Sequence, residues 1–400
     1  MKIKVALLFG GKSTEHDISI ISALQAKNNI NTDKYDVYPV YITRENEMYW
    51  GERTGDIKAY TDINALIKDS EAVTLVRRGD RVKLIRLSPS IFQKSEITDI
   101  DVAFPVVHGT NTEDGTLQGF CQMLDLAYVG CDVLSSAVGM DKYLTKVILR
   151  DAKIPVLDAK KLSLADFQRD PDALVKETEQ EFAYPVIVKP INCGSSIGIS
   201  KACDSASLME SLSDAFGYAE SVIVERAIEN LREINCSVVG DSLGAKASEC
   251  EEPVSTDEIL SFNDKYVGGS KGAKSGGAKS SAGMASLKRK IPAPISSETR
   301  EYIRETAVKA FLALGCAGVS RIDFLMDGES GEIFFNEINT IPGSLSFYLW
   351  EPLGVKYPEL LDEIITLALK AHRRRASLTF SFKSSVLSSA SFGGSKGTKK

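Results

Sequence analysis

The stretch from Arg321 to Gly343 limits the fold more than any other. It reads Arg-Ile-Asp-Phe-Leu-Met, then Asp-Gly-Glu-Ser-Gly, then Glu-Ile-Phe-Phe-Asn-Glu-Ile-Asn-Thr-Ile-Pro-Gly. Two arms rich in β-branched and aromatic residues, joined by a glycine-containing turn, predict a β-hairpin. Side chains alternate faces along a strand, so Arg321 and Asp323 share one face of the first arm, and Phe335, Glu337 and Asn339 share one face of the second. With Glu329 at the turn centre, Arg321 is expected opposite Glu337, with Asp323 diagonal to it. The other face (Ile322, Phe324, Met326, Ile338, continued by Phe334) is apolar. On the hairpin alone, a surface ladder of charges is the simpler reading. Carboxylates gathered in a half-buried place instead require a cation. Oxygen ligands with no nearby His or Cys suit Mg²⁺, which readily shares substrate phosphates. Which reading holds depends on whether the rest of the chain can bind phosphate.

Four hundred residues exceed one ordinary core, so two or three domains are expected. A net charge of −6 gives no basic bias toward nucleic acid or anionic membrane. Seven cysteines without close pairing read as reduced thiols of a cytoplasmic protein. The N-terminal apolar run is too short for a signal peptide and reads as a buried parallel strand. No run is long enough to span a membrane.

Val5–Phe9, ending at Gly10-Gly11, then a helix, then Val37–Ile42, predict a doubly wound α/β unit over residues 1–140. The loop Gly-Gly-Lys-Ser-Thr-Glu-His-Asp has neither dinucleotide nor P-loop spacing. Residues 141–228 predict a small α+β unit. Its first helix carries Leu144, Val147, Ile148 and Ala152 as an apolar stripe, and its strands are Tyr184–Lys189 and Ser221–Glu225. Residues 229–375 form the third predicted unit. It holds a lid loop over 261–290, a helix capped by Ser297 with Tyr302 on its buried side, the hairpin, and a last helix from Pro358 to Ala371. Residues 376–400 read as a tail, disordered toward its end.

Three further groups carry chemistry. Lys189 ends an apolar strand just before Gly194-Ser195-Ser196-Ile197-Gly198, a loop able to turn its amides onto phosphates. An ordinary hairpin loop fits the same residues, and Lys142 fits equally as a second phosphate cation or a solvated helix residue. Glu225-Arg226-Ala227 ends a strand where two units meet, suited to an adenine edge, with Glu233 in reach of a ribose; a plain strand exit is the alternative. His108 ends a parallel strand, where ligands bind in open α/β sheets, on the same edge as Glu15. Glu113 reads as a capping residue.

In order along the chain, Gly-Gly-Lys-Ser-Thr-Glu-His-Asp-Ile-Ser, Val-His-Gly-Thr-Asn-Thr-Glu-Asp-Gly-Thr-Leu-Gln-Gly, Met-Asp-Lys, Val-Lys-Pro with Gly-Ser-Ser-Ile-Gly, and Arg-Ile-Asp with Asn-Glu-Ile-Asn-Thr-Ile-Pro-Gly resemble the D-alanine–D-alanine ligases. The match runs from about Lys4 to about Ala371. The resemblance implies an ATP-grasp fold behind an N-terminal α/β domain, and ligation of two D-alanines through an acyl phosphate for peptidoglycan precursors. It implies ATP with Mg²⁺ or Mn²⁺, expected as two ions, a homodimer, and a cytoplasmic enzyme with no nucleic-acid or membrane partner. By resemblance, Glu15 holds the first substrate's ammonium, His108 lies near its carboxylate, and Ser195 links Glu15 to Tyr266. Lys142, Lys189 and the loop residue Lys265 meet the phosphates, with Ser195 and Ser196. Glu225, Arg226, Ala227 and Ile228 form the adenine hinge, Glu233 binds ribose at a spacing one residue longer than usual, and Phe335 and Asn336 line the nucleotide site. Asp323, Glu337 and Asn339 hold the metal, and Arg321 with the Gly343 amide stabilises the tetrahedral intermediate.

Two features bear on the second substrate. By the resemblance, Tyr266 with no histidine in its loop implies an amine nucleophile. After Gly343, however, Ser344 and Tyr348 stand in Ser-Leu-Ser-Phe-Tyr-Leu-Trp, with Tyr348 in place of a usual serine. A ligase joining D-alanine to D-serine, D-lactate or another amine is therefore the alternative. A nucleotide-binding regulator without turnover is a third reading.

Overall fold

A computed structural model describes residues 2–194, 196–254 and 289–379. Ser195, Lys265, Tyr266, the segment 255–288 and the tail from 380 lie outside the described residues. Three sheets organise the rest, each with its own apolar core.

The first sheet has eight strands, with Ile3–Gly10 parallel to both Tyr35–Ile42 and Val102–Pro105. Val5 to Phe9 are fully buried, as a continuous apolar run predicts for a parallel strand. A meander of antiparallel strands extends this sheet, including the hairpin Glu71–Arg78 with Arg81–Arg86. The helix Tyr357–Ala376 begins and ends outside its expected span, and its Leu360, Leu361, Ile364 and Ile365 complete the first sheet's core.

The second sheet has four strands, with Val186–Pro190 and Ser221–Arg226 antiparallel at its centre. Its edges, Ala159–Ser163 and Ser200–Ala202, are too polar and short for hydrophobic patterning to reveal. The third sheet has five strands: Leu231–Asp241 at its centre, flanked by Gly244–Pro253 and by the hairpin Gly318–Asp327 with Ile333–Asn339. Arg289–Lys290, placed in the lid loop by sequence, is instead a short strand paired with Glu252–Pro253.

Two helices differ from expectation. Ser296, not Ser297, caps Ser297–Ala313 by accepting from the Thr299 N–H at 3.0 Å, and Tyr302 is exposed. In the helix Lys142–Asp151 the expected apolar stripe is inverted: Lys142, Thr145, Lys146 and Leu149 are buried, while Leu144 and Val147 are exposed. No helix among the described residues is long and apolar enough to cross a membrane.

Candidate active site

The hairpin forms the floor, in a register different from the sequence expectation. Arg321 lies opposite Asn339, and Asp323 directly opposite Glu337. A bulge then shifts the pairing, so that Phe324 faces Phe335 and Leu325 faces Phe334. The extra residue is Asn336. The bulge reverses two expectations. Phe335 leaves the polar face and packs in the core at 1% exposure, edge-on to Phe324. Phe334 leaves the apolar face and lies half-buried under the Arg226 guanidinium, 5.2 Å from its ring centre.

On the polar face, Arg321 forms a two-pronged ion pair with Asp323, Nε to Oδ1 and Nη2 to Oδ2, both 2.7 Å. Burial disfavours the guanidinium's charge, but the Asp323 carboxylate outweighs it and raises the Arg321 pKa. Asn339 donates its amide to Asp323 Oδ2 at 3.1 Å. Two opposed carboxylates and one amide, on neighbouring strands, give an all-oxygen donor set. Among the described residues no cluster of three His, Cys, Asp or Glu competes with it. That set fits Mg²⁺ shared with substrate phosphates.

The cations come from separate elements. Asp141 caps the helix Lys142–Asp151 by accepting from the Tyr143 and Leu144 amides, which fixes Lys142 at the first helical position. Lys142 Nζ lies 3.2 Å from Glu337 Oε2 and donates to the Cys193 carbonyl at 2.6 Å. Lys189 Nζ pairs with Glu225 and donates to Asn336 Oδ1 at 3.1 Å. Lys146 Nζ lies 2.9 Å from the other Glu225 oxygen. Burial alone would raise the Glu225 pKa; the two ammonium groups overcome it and hold the carboxylate at about 2. Sequence reasoning missed Lys146, although its spacing of four from Lys142 places both on one helix face.

Lys189, Glu225, Asn336 and Glu337 border a cavity of about 390 Å³. It is lined by Lys189, Ser196, Glu225, Arg226, Ala227, Ile228, Glu233, Asp323, Asn336 and Glu337, with Leu157, Ile187, Phe324 and Leu325 as apolar walls. Phe335, expected there, lies behind the wall.

The opposite side is built by the first sheet. Glu15 immediately precedes the helix His16–Asn29 and is buried. A Cβ on Gly194 would stand 2.8 Å from Glu15 Oε2, so only glycine lets that loop approach the carboxylate so closely. His108 is buried, and burial lowers its pKa, so the ring is neutral at neutral pH. Its Nδ1 lies 2.8 Å from the Ile341 carbonyl, which can only accept. Nδ1 therefore carries the proton and Nε2 is an acceptor, 3.2 Å from the Ser22 hydroxyl. Ser22 Oγ in turn accepts from the Ser344 N–H at 3.1 Å. Glu113, expected as a cap, does not cap the helix Thr116–Met123, whose N-cap is Gly115; its carboxylate instead accepts from the amides of Gly109 and Ile341 and from the Thr340 hydroxyl. Burial, reinforced by Glu15, nevertheless pushes its pKa to about 8.

Past Gly343 the backbone is unusual. Ser344, Leu345 and Ser346 are all left-handed, with φ of 52°, 52° and 50°, and all are buried. Tyr348 is buried with its hydroxyl 3.2 Å from Glu251 Oε1, under the Arg289 guanidinium, which itself pairs with Glu251 at 2.7 Å. Sequence reading did not find the Arg289–Glu251 pair.

Residues 4–131 match the family described as D-ala D-ala ligase N-terminus, and residues 148–366 the D-ala D-ala ligase C-terminus. The chain belongs to the D-alanine–D-alanine ligase family. It is 38% identical to the D-alanine–D-alanine ligase of Acetivibrio thermocellus, over 93% of this chain and 97% of the relative. Against that of Caldicellulosiruptor bescii identity is 37%, over 95% and 99%. Among solved structures, the D-alanine–D-alanine ligase from Coxiella burnetii aligns with a TM-score of 0.76 at 30% identity, covering 94% of this chain and 96% of that one. The VanG D-Ala:D-Ser ligase from Enterococcus faecalis aligns with a TM-score of 0.75 at 32% identity, covering 92% and 100%. The three-sheet α/β architecture is thus the ATP-grasp fold of this family.

Proposed function

We propose that this chain joins two molecules of D-alanine into D-alanyl-D-alanine, with ATP converted to ADP and phosphate, for peptidoglycan precursor synthesis. The observation that carries the reading is a single cavity in which Lys189 meets the opposed pair Asp323 and Glu337, with Lys142 reaching the same Glu337. Adenine would lie along Glu225, Arg226, Ala227 and Ile228, with Glu233 at the ribose and Lys142, Lys189 and Ser196 toward the phosphates. Asp323, Glu337 and Asn339 would hold Mg²⁺ or Mn²⁺, which when bound offsets phosphate charge.

The carboxylate of the first D-alanine, its ammonium held by Glu15, attacks the γ-phosphorus. An O–P bond forms, the bond to ADP breaks, and an acyl phosphate results. Neutral His108 lies beside that carboxylate without adding a charge. The amine of the second D-alanine then attacks the acyl carbon, loses a proton, and phosphate leaves. Arg321, fixed by its two contacts to Asp323, and the Gly343 amide face the oxygen on which charge develops. Ser195, Lys265 and Tyr266 belong to this reading by the family resemblance alone.

The units 1–140, 141–228 and 229–375, a homodimer, two divalent ions and a cytoplasmic location are parts of the same proposal, carried by the family resemblance. A second reading, a different second substrate, is favoured by the buried Tyr348 and the left-handed segment before it. The test is ADP release at fixed D-alanine with D-alanine, D-serine or D-lactate as the second substrate, with and without EDTA. Preference for D-alanine supports the first reading and preference for another acceptor the second. Absence of turnover with every acceptor refutes both.

A further inference from the structure

One buried cation beside the cavity has no part in the chemistry above. Lys146 sits one helical turn beyond Lys142, with its side chain 2% exposed, against a Glu225 side chain that is 1% exposed. Its ammonium lies 2.9 Å from Glu225 Oε2 and donates to the Leu157 carbonyl at 3.4 Å. Apart from this contact, Glu225 Oε2 has no hydrogen-bond partner among the described residues. Lys189 takes the other oxygen, but it also reaches Asn336 and borders the cavity, whereas Lys146 does not border it.

We propose that Lys146 is a positioning residue, a fixed counterion that keeps Glu225 ionised and able to accept from the exocyclic amine of adenine after Lys189 turns to the phosphates. The inference rests on the nucleotide-site reading above. An entering polyphosphate can draw Lys189 but cannot reach Lys146. With Lys189 as its sole partner, Glu225 would become a buried carboxylate with no counterion, and such a group takes up a proton instead. The low pKa of Glu225 fits the pairing; the Lys146 pKa is lowered because burial outweighs the opposing pull of Glu225. Other charged groups surround the triad. Arg150 acts on Lys146 from the same helix, Arg226 follows Glu225 on its strand, and Lys201 borders the cavity from the next strand. Glu229, Arg232, Glu233, Glu252, Lys290, Asp323 and Glu337 line the same cavity.

The test is calorimetric titration of the full chain with Mg²⁺ and an imido-bridged, non-hydrolysable ATP analogue, between pH 7 and 8.5, in buffers of different ionisation enthalpy. For the wild type, nucleotide binding is accompanied by almost no proton uptake and is flat with pH. For Lys146→Met, affinity is about tenfold weaker or worse, up to one proton is taken up per nucleotide, and affinity falls as pH rises. The sign follows from linkage: losing Lys189 raises the Glu225 pKa in the complex, so binding is coupled to protonation and weakens as protons become scarce. Lys146→Arg restores both behaviours. Should Lys146→Met not fold, Lys146→Met is compared with wild-type Lys146 in a Glu225→Gln background, where it is expected to change affinity less than twofold. A wild-type affinity for Lys146→Met, a loss without proton uptake, an equal loss in Lys146→Arg, or a tenfold loss in the Glu225→Gln background overturns the proposal. A wild type that binds no nucleotide refutes the nucleotide site itself, a result distinct from any of these.

Discussion

Removing the Ser22 hydroxyl tests how the two halves of the site are joined. Ser22 lies on the helix His16–Asn29 and is 1% exposed, as a single hydroxyl serving two groups 86 and 322 residues away. Its proton goes to His108 Nε2, because Nδ1 must donate to the Ile341 carbonyl, and its lone pair receives the Ser344 N–H. Ser22→Ala strips both at once. An unsatisfied buried donor or acceptor costs roughly 1–3 kcal/mol, so two should cost about 2–6 kcal/mol. Urea unfolding of the ligand-free protein, with an unchanged slope, reads that loss. Kinetics separate the effects further. The change should fall on kcat with D-alanine, since Ser344 follows the Gly343 amide, while KM for ATP stays within about twofold because the nucleotide cavity is elsewhere. Combined with His108→Phe, the loss should be well short of additive, since both changes break one chain of hydrogen bonds. A stability loss under about 0.5 kcal/mol, or full additivity with His108→Phe, would refute the hydrogen-bond assignment.

Asp323→Ala should leave Arg321 as a buried unpaired cation, costing about 3–5 kcal/mol in urea unfolding as well as abolishing ADP release; loss of turnover at unchanged stability would mean that Arg321 is otherwise compensated. Glu113, at about 8 when folded against an ordinary carboxyl value of 4.5, binds its proton more tightly in the native state, so its contribution is fully present below 4.5 and is lost as pH rises through 8. Stability measured from pH 5 to 9 should therefore decline across that window by several kcal/mol more in the wild type than in Glu113→Gln, and parallel curves for the two would contradict the assignment.

What the sequence discloses follows from what side-chain patterning encodes. Val5–Phe9, Tyr184–Lys189 and Ser221–Glu225 are legible because strands buried between layers must be almost wholly apolar. The same rule misleads at Lys142–Asp151. There the buried face is cationic because Glu225 and Glu337 wait beneath it, and Leu144 and Val147 face solvent. Patterning reads apolar residues as inward, so a functional charged face appears inverted. The His108–Ser22–Ser344 chain was invisible for another reason: it joins two residues of the first unit to a backbone amide more than three hundred positions away. The left-handed turn at Ser344–Ser346 carries no glycine to announce it.

The bulge at Asn336 explains how one hairpin can serve both a core and a polar floor. In an unbroken ladder, the face carrying Glu337 and Asn339 would also carry Phe335, and Asn336 would point into the apolar layer beneath. One unpaired residue reverses the alternation at that point only. Phe335 then enters the core against Phe324, Phe334 comes up beneath Arg226, and Asn336 meets the Lys189 ammonium at the cavity wall. The carboxylates lie on one side of the bulge, where register is strict and Asp323 faces Glu337 directly; the cavity wall lies on the other. Strict pairing suits the first task, since two carboxylates proposed as ligands of one ion need a fixed separation. Broken pairing suits the second, because the lysine needs an oxygen from a strand whose regular geometry would have presented an aromatic ring.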